Sequence, residues 1–108
     1  MPEIANPTHI QYPLSRERLM SALGKSPRWE ILKVLADGDM WGASDLTPVT
    51  GVSVSATGKH LGVLVNAGIC VRGRGKLYRL APQFRPVAGS KVLDFGHCIL
   101  RFDQPSAD

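Results

Sequence analysis

Two helix-like segments followed directly by a glycine-containing hairpin occupy residues 43 to 80, and this succession limits the possible folds more than any other feature. Gly51 separates the first segment from the second, whose N-terminal cap is predicted at Ser53. This is the spacing of a helix-turn-helix. Leu61 and Leu64 lie on one side of the second helix, which should face the core, and Gly68 should end the helix.

The hairpin is predicted from two short runs of strand-forming residues, ICVR and LYRLA. Gly73 and Gly75 between them allow the positive backbone dihedrals of a tight turn. A helix-turn-helix followed by such a hairpin is a winged helix. The predicted fold class is therefore α+β, a winged helix-turn-helix with a two-stranded basic wing and an extra C-terminal β-strand. That strand covers residues 91 to 102 and is bent or bulged at Gly96.

Capping signals predict the remaining elements. A helix from Arg16 to about Leu23 has Ser15 as its cap, and a second helix has Ser26 as its cap and ends at Gly38. Pro48 should keep the segment from 43 to 50 short or kinked, because a proline inside a helix removes a backbone donor. The residues DMWG just before that segment could form one brief strand.

The chain has 108 residues, of which 44% are apolar, and this suits one small domain with a buried core. We expect Trp29, Trp41 and Cys70 in that core. We divide the sequence into an extended N-terminal arm (1–14), a winged helix-turn-helix DNA-binding domain (15–81) and a C-terminal extension for dimerisation (82–108). No stretch approaches the roughly 18 apolar residues of a membrane span, and no signal sequence is apparent. A cytoplasmic protein without a membrane partner is expected.

Positive charge is concentrated in the middle of the chain. Residues 46 to 93 contain seven Lys or Arg and no Asp or Glu, although the net charge of the whole sequence is only +4. Such a field attracts a polyanion, and nucleic acid is the commonest one for a small basic domain. An anionic membrane surface would call for a basic amphipathic helix. These charges lie mainly on the predicted hairpin, so double-stranded DNA is the expected partner.

The candidate DNA contacts form two groups. The helix after Gly51 should enter the major groove, because small or short polar side chains near its N-terminus bring base edges within reach. The hairpin cations should contact the DNA backbone or the minor groove. An ordinary solvated helix face and a hairpin charged for solubility are the competing interpretations. The candidates are Ser53, Ser55, Ala56, Lys59 and His60 on the helix, and Arg72, Arg74, Lys76 and Arg79 on the hairpin.

The sequence resembles the ArsR-like winged-helix transcription repressors over about residues 15 to 81. The resemblance rests on SPRWEILKVLADG, SVSATGKHLGVLVNAGI and RGRGKLYRLA. It implies a dimer that binds operator DNA and represses transcription. The best-known metal sensors of that family carry paired cysteines on the helix before the turn, where this chain has ASDLTPV, so we expect no metal and no other cofactor. The family also usually ends in a long helix, where this chain has the strand-like residues 91 to 102.

Neither catalysis nor metal binding is expected elsewhere. His97 and Cys98 are neighbours on a predicted strand, so their side chains should point to opposite faces and not hold one ion together. Paired carboxylates, an activated nucleophile and a phosphate-binding glycine motif are lacking.

The predicted function is therefore sequence-specific DNA binding by a transcriptional repressor. The apolar segment from 92 to 102 should pair two chains into a homodimer. The alternative is a winged-helix module for protein–protein interaction, whose positive hairpin binds an acidic partner.

Overall fold

Four helices and two short hairpins make up residues 14–87 and 89–103, the part of the chain that the computed structural model describes. The helices are α1 (Arg16–Leu23), α2 (Ser26–Leu35), α3 (Ala43–Thr50) and α4 (Val54–Asn66). One antiparallel hairpin pairs β1 (Cys70–Arg72) with β2 (Tyr78–Leu80), and the other pairs β3 (Val92–Asp94) with β4 (Ile99–Arg101). The predicted α+β class is confirmed. The predicted arm lies outside the described residues except for Leu14, which is buried.

Serine caps mark the beginnings of two of the helices. The Ser15 hydroxyl accepts a hydrogen bond from the Arg18 amide at 3.1 Å and caps α1, and Ser53 caps α4 in the same way through the Ala56 amide at 3.0 Å. The predicted cap at Ser26 is wrong. Ser26 is already helical, Lys25 occupies the cap position of α2 without a side-chain hydrogen bond, and Pro27 is the second helical residue, where its missing amide hydrogen needs no partner in the helix.

Helix α3 contains Pro48 and is short, as its sequence predicts. A proline at this position cannot donate to the carbonyl of Ser44, four residues earlier. The Thr47 hydroxyl donates to that carbonyl instead, at 2.9 Å. The acceptor that the proline leaves unused is therefore satisfied within the helix, and α3 continues to Thr50.

The turn between α3 and α4 is held by one left-handed residue and one pair of threonines. Gly51 has a φ of 73°, a conformation in which a side chain would be strained. Beyond it, the fully buried hydroxyl of Thr57 lies 3.0 Å from that of Thr50. A buried hydroxyl without a partner is costly, so this hydrogen bond joins the end of α3 to the second turn of α4.

The first hairpin is attached to the rest of the fold by one buried face and by the edge of β2. Cys70 and Leu80 face each other and are buried, whereas Val71 pairs with Arg79 on the opposite face. Trp41, just before α3, exchanges two backbone hydrogen bonds with Tyr78, at 2.8 and 2.9 Å. The brief strand predicted for DMWG is thus one residue that adds to the edge of β2.

The C-terminal segment is a hairpin, and the prediction of one bent strand is wrong. Gly96 takes a φ of 86° and lies in the turn, where its amide donates to the Asp94 carboxylate at 2.8 Å. The Phe95 amide also donates to the Cys98 carbonyl at 2.9 Å, which closes the turn. A left-handed glycine at the centre of the segment reverses the chain instead of bending it. The two halves then pair with each other, and each buries one leucine, Leu93 in the first and Leu100 in the second.

One apolar core joins all these elements. It contains Ile31, Leu32 and Leu35 of α2, Leu61 and Leu64 of α4, and side chains from both hairpins. The prediction of a buried Trp29 is wrong, because its side chain is 41% exposed. Its indole nitrogen donates to the Leu23 carbonyl, 2.6 Å away at the end of α1, and this bond holds the ring at the surface. No helix in the described ranges has the length and apolarity needed to cross a membrane.

Candidate nucleic-acid interface

The outer face of α4 carries the predicted helix contacts with differing exposure. Ser55 and Lys59 are exposed one turn apart, opposite the buried Leu61 and Leu64. The hydroxyl of Ser53 is used as the helix cap, and Ala56 is half-buried. The freely accessible polar side chains of this face are therefore Ser55 and Lys59.

His60 lies on the flank of α4 that faces the first two helices. Its Nδ1 accepts a hydrogen bond from Nε of Arg28 at 3.1 Å. The same guanidinium donates to the carbonyls of Ser21 and Ala22 in the last turn of α1, at 3.0 and 3.1 Å. Arg28 therefore links α1, α2 and α4. Because Nδ1 accepts in this hydrogen bond, the His60 ring must be neutral with its proton on Nε2. Burial, Arg28 and Lys25 all lower the pKa of His60.

The first hairpin exposes three cations. Arg72, Arg74 and Lys76 are all exposed, and among the described residues none of them forms an ion pair. The Arg72 guanidinium carbon lies 6.0 Å from the centre of the Tyr78 ring, which restricts the side chain without neutralising it. Gly75 and Lys76 both have a positive φ, 68° and 58°, so the loop turns sharply at its tip.

Arg79 differs from the other hairpin cations. It is half-buried on the same face of the hairpin as Val71, and its Nε atom is buried without a hydrogen-bond partner among the described residues. The structure thus brings Arg72, Arg74 and Lys76 together at the exposed end of the hairpin and leaves Arg79 half-buried on the face opposite Cys70 and Leu80.

A cleft of about 420 Å³ separates the hairpin tip from the beginnings of α3 and α4. Its lining includes Val54, the first residue of α4, which is 51% exposed, together with Ser44 of α3 and Lys76 and Tyr78 of the hairpin. Asp45 adds one carboxylate, whose Oδ2 accepts from the Gly42 amide at 3.1 Å. The sequence prediction missed Val54 and Ser44, because it considered polar side chains of the second helix and not the residue that opens this helix.

The two cysteines are poorly suited to sensing. Burial raises the pKa of the Cys70 thiol to about 12, so the reactive thiolate is scarce at neutral pH. Cys98 is half-buried in the second hairpin, and burial together with the neighbouring Asp94 raises its pKa as well. Across the described ranges, no group of three or more His, Cys, Asp or Glu side chains could hold a metal ion.

The bond between Arg28 and His60 predicts a pH dependence of stability. Because the pKa of His60 is lowered in the folded protein, the unfolded chain takes up a proton at a higher pH than the folded one. The free energy of unfolding should therefore fall as the pH drops below the ordinary histidine value of about 6.5. Urea unfolding at pH 7.5 and at pH 5 measures this loss of unfolding free energy. The loss should be smaller for His60→Gln than for the wild type, because the glutamine side chain can accept from Arg28 but does not titrate. Equal losses in both proteins would contradict this role of His60.

Comparisons of the chain with protein-family models, with curated proteins and with solved structures gave no match.

Proposed function

We propose that this protein is a winged-helix transcriptional repressor that binds double-stranded DNA in a sequence-specific manner. Helix α4 enters the major groove with its N-terminal half, and the hairpin of β1 and β2 contacts the adjacent backbone or minor groove. The observation that supports this most is the exposed, unpaired set of Arg72, Arg74 and Lys76 on the hairpin, of which Lys76 lines the cleft opposite the start of α4. Asp45 lines the same cleft as Lys76, but none of the three cations forms an ion pair among the described residues, so their charge remains available to an external polyanion.

The helix itself suits close approach to DNA. An added Cβ at Gly58 would meet no atom within 4 Å, so the packing of the protein does not require a glycine there. Glycine in a helix costs about 1 kcal/mol relative to alanine. An external surface that comes close to this part of α4 accounts for that cost, and the wall of a DNA groove is such a surface.

A homodimer is part of the proposal. A groove of about 350 Å³ lies between α1 and the second hairpin, and Met20, which is 73% exposed, lines it. Ile99, which is 55% exposed, follows the lining residue Cys98 in the chain. Leu19, Leu23 and Cys98 line that groove. A second chain that covers these side chains would bury apolar area and place two copies of α4 on successive half-sites of an operator.

Replacement of a hairpin cation tests DNA binding directly. If Arg74 neutralises one phosphate, Arg74→Ala should lower the slope of log affinity against log salt by about 0.9 and weaken operator and random duplexes alike. Fluorescence anisotropy across a salt series measures both effects. Arg101→Ala is the matched control, because Arg101 lies on the other hairpin and pairs with Asp103 at 2.9 Å. An unchanged slope for Arg74→Ala would instead favour the protein-interaction module.

Gly58→Ala separates folding from binding. The substitution should raise the free energy of unfolding by about 1 kcal/mol, because alanine is the better helix former and nothing obstructs its methyl group. Affinity for DNA should fall at the same time, since that methyl group holds α4 away from the groove. Gly62→Ala, one turn further from the N-terminus, should gain similar stability and lose less affinity. A Gly58→Ala protein that is more stable and binds DNA as well as the wild type would refute the close approach.

The dimer surface is tested by introducing a charge into it. Met20→Lys should convert the dimer into a monomer in sedimentation velocity at tens of micromolar, because Met20 lines the groove and an unpaired ammonium group in an apolar interface is costly. Val87→Lys is the control, since Val87 is 80% exposed and lies outside the groove. A wild-type protein that sediments as a monomer at this concentration would rule out the dimer.

A further inference from the structure

The side chains in the first turn of α4 restrict what this helix could recognise. This turn carries Val54, Ser55 and Ala56. It lacks the Arg, Lys, Asn and Gln side chains that bond two atoms of a purine, and the Asp and Glu that accept from cytosine. The chemical groups that remain for a base edge are one hydroxyl, one methyl group and one isopropyl group.

Val54 is the most accessible apolar group of this turn. Half of its surface, 51%, is exposed, and it lines the cleft opposite Lys76 and Gly75 of the hairpin tip. It is not among the side chains of the core or those packed against it. A branched aliphatic residue at the start of a helix, between two serines and beside a cation, thus contributes its apolar surface to whatever occupies the cleft.

We propose that Val54 determines specificity by contacting the C5 methyl group of a thymine in the major groove. This inference rests on the proposed DNA-binding function and names the base that the first turn of α4 recognises. The thymine methyl is the one apolar group that a base pair presents in the major groove, and aliphatic side chains recognise it by excluding water. The nearby Lys76 binds the phosphate backbone at the edge of the same cleft, which brings Val54 against the bases.

Uracil substitution tests this contact, because deoxyuridine pairs as thymidine does but lacks the methyl group. The probe is a duplex selected by the wild-type protein from a randomised pool, in which each thymine is then replaced singly by uracil. Burial of one methyl group stabilises a contact by a factor of about four in affinity. At least one replacement should therefore weaken wild-type binding about fourfold, and Val54→Ser should bind the thymine and uracil forms of that duplex equally.

Control variants distinguish this contact from general damage. Val49→Ser changes another exposed valine, 40% accessible and outside the cleft, and should keep the full discrimination between thymine and uracil. Val54→Thr retains one methyl group and should show partial discrimination, while thermal unfolding verifies that both Val54 variants fold.

The possible results separate the two levels of the proposal. Wild-type binding that is indifferent to every uracil replacement would overturn the contact, as would discrimination by Val54→Ser equal to that of the wild type. In both cases DNA binding itself would stand. Failure of the wild-type protein to bind any duplex would instead remove the proposed function and this inference with it.

Discussion

The geometry of the candidate interface depends on the turn between α3 and α4. Residues 51 to 53 separate the helices, with Gly51 in a left-handed conformation and Ser53 as the cap of α4. The hydrogen bond between Thr50 and Thr57 joins the two helices across this turn. The direction in which α4 leaves the core follows from this turn. The orientation of α4, and with it the position of Val54 relative to the hairpin, thus depends on this partly buried hydroxyl pair together with the core packing of Leu61 and Leu64.

A second constraint is electrostatic. The described residues between Asp45 and Asp94 contribute cations without a carboxylate among them. Four exposed ones lie on α4 and the first hairpin, and Arg85 and Lys91 follow them in the chain. Unpaired like charges repel each other, so this arrangement destabilises the isolated domain by a small amount. The carboxylates Asp37 and Asp103 form ion pairs elsewhere, with Lys91 and Arg101. The positive surface therefore remains available to a polyanion.

Features with a local cause could be predicted from the sequence. The caps at Ser15 and Ser53, the break between two helices at Gly51 and the hairpin after α4 need only neighbouring residues. The exposed Trp29 and the bond between Arg28 and His60 could not be predicted, because the first depends on how α1 packs against α2 and the second on how α2 packs against α4. The C-terminal hairpin differs from the predicted single strand because strand-forming residues stand on both sides of its turn. Its composition favours strand throughout, and only Gly96 signals the reversal.

The backbone pairing of Trp41 with Tyr78 has a consequence for the kinetics of association. It ties the middle of the hairpin to the residues that lead into α3, so the tip that carries Arg74 and Lys76 is preorganised. A loop that is ordered before it meets its partner loses little conformational entropy on docking. With the proposed DNA partner, the encounter would then require no folding step, and its rate would be governed by long-range attraction and fall steeply as the ionic strength rises.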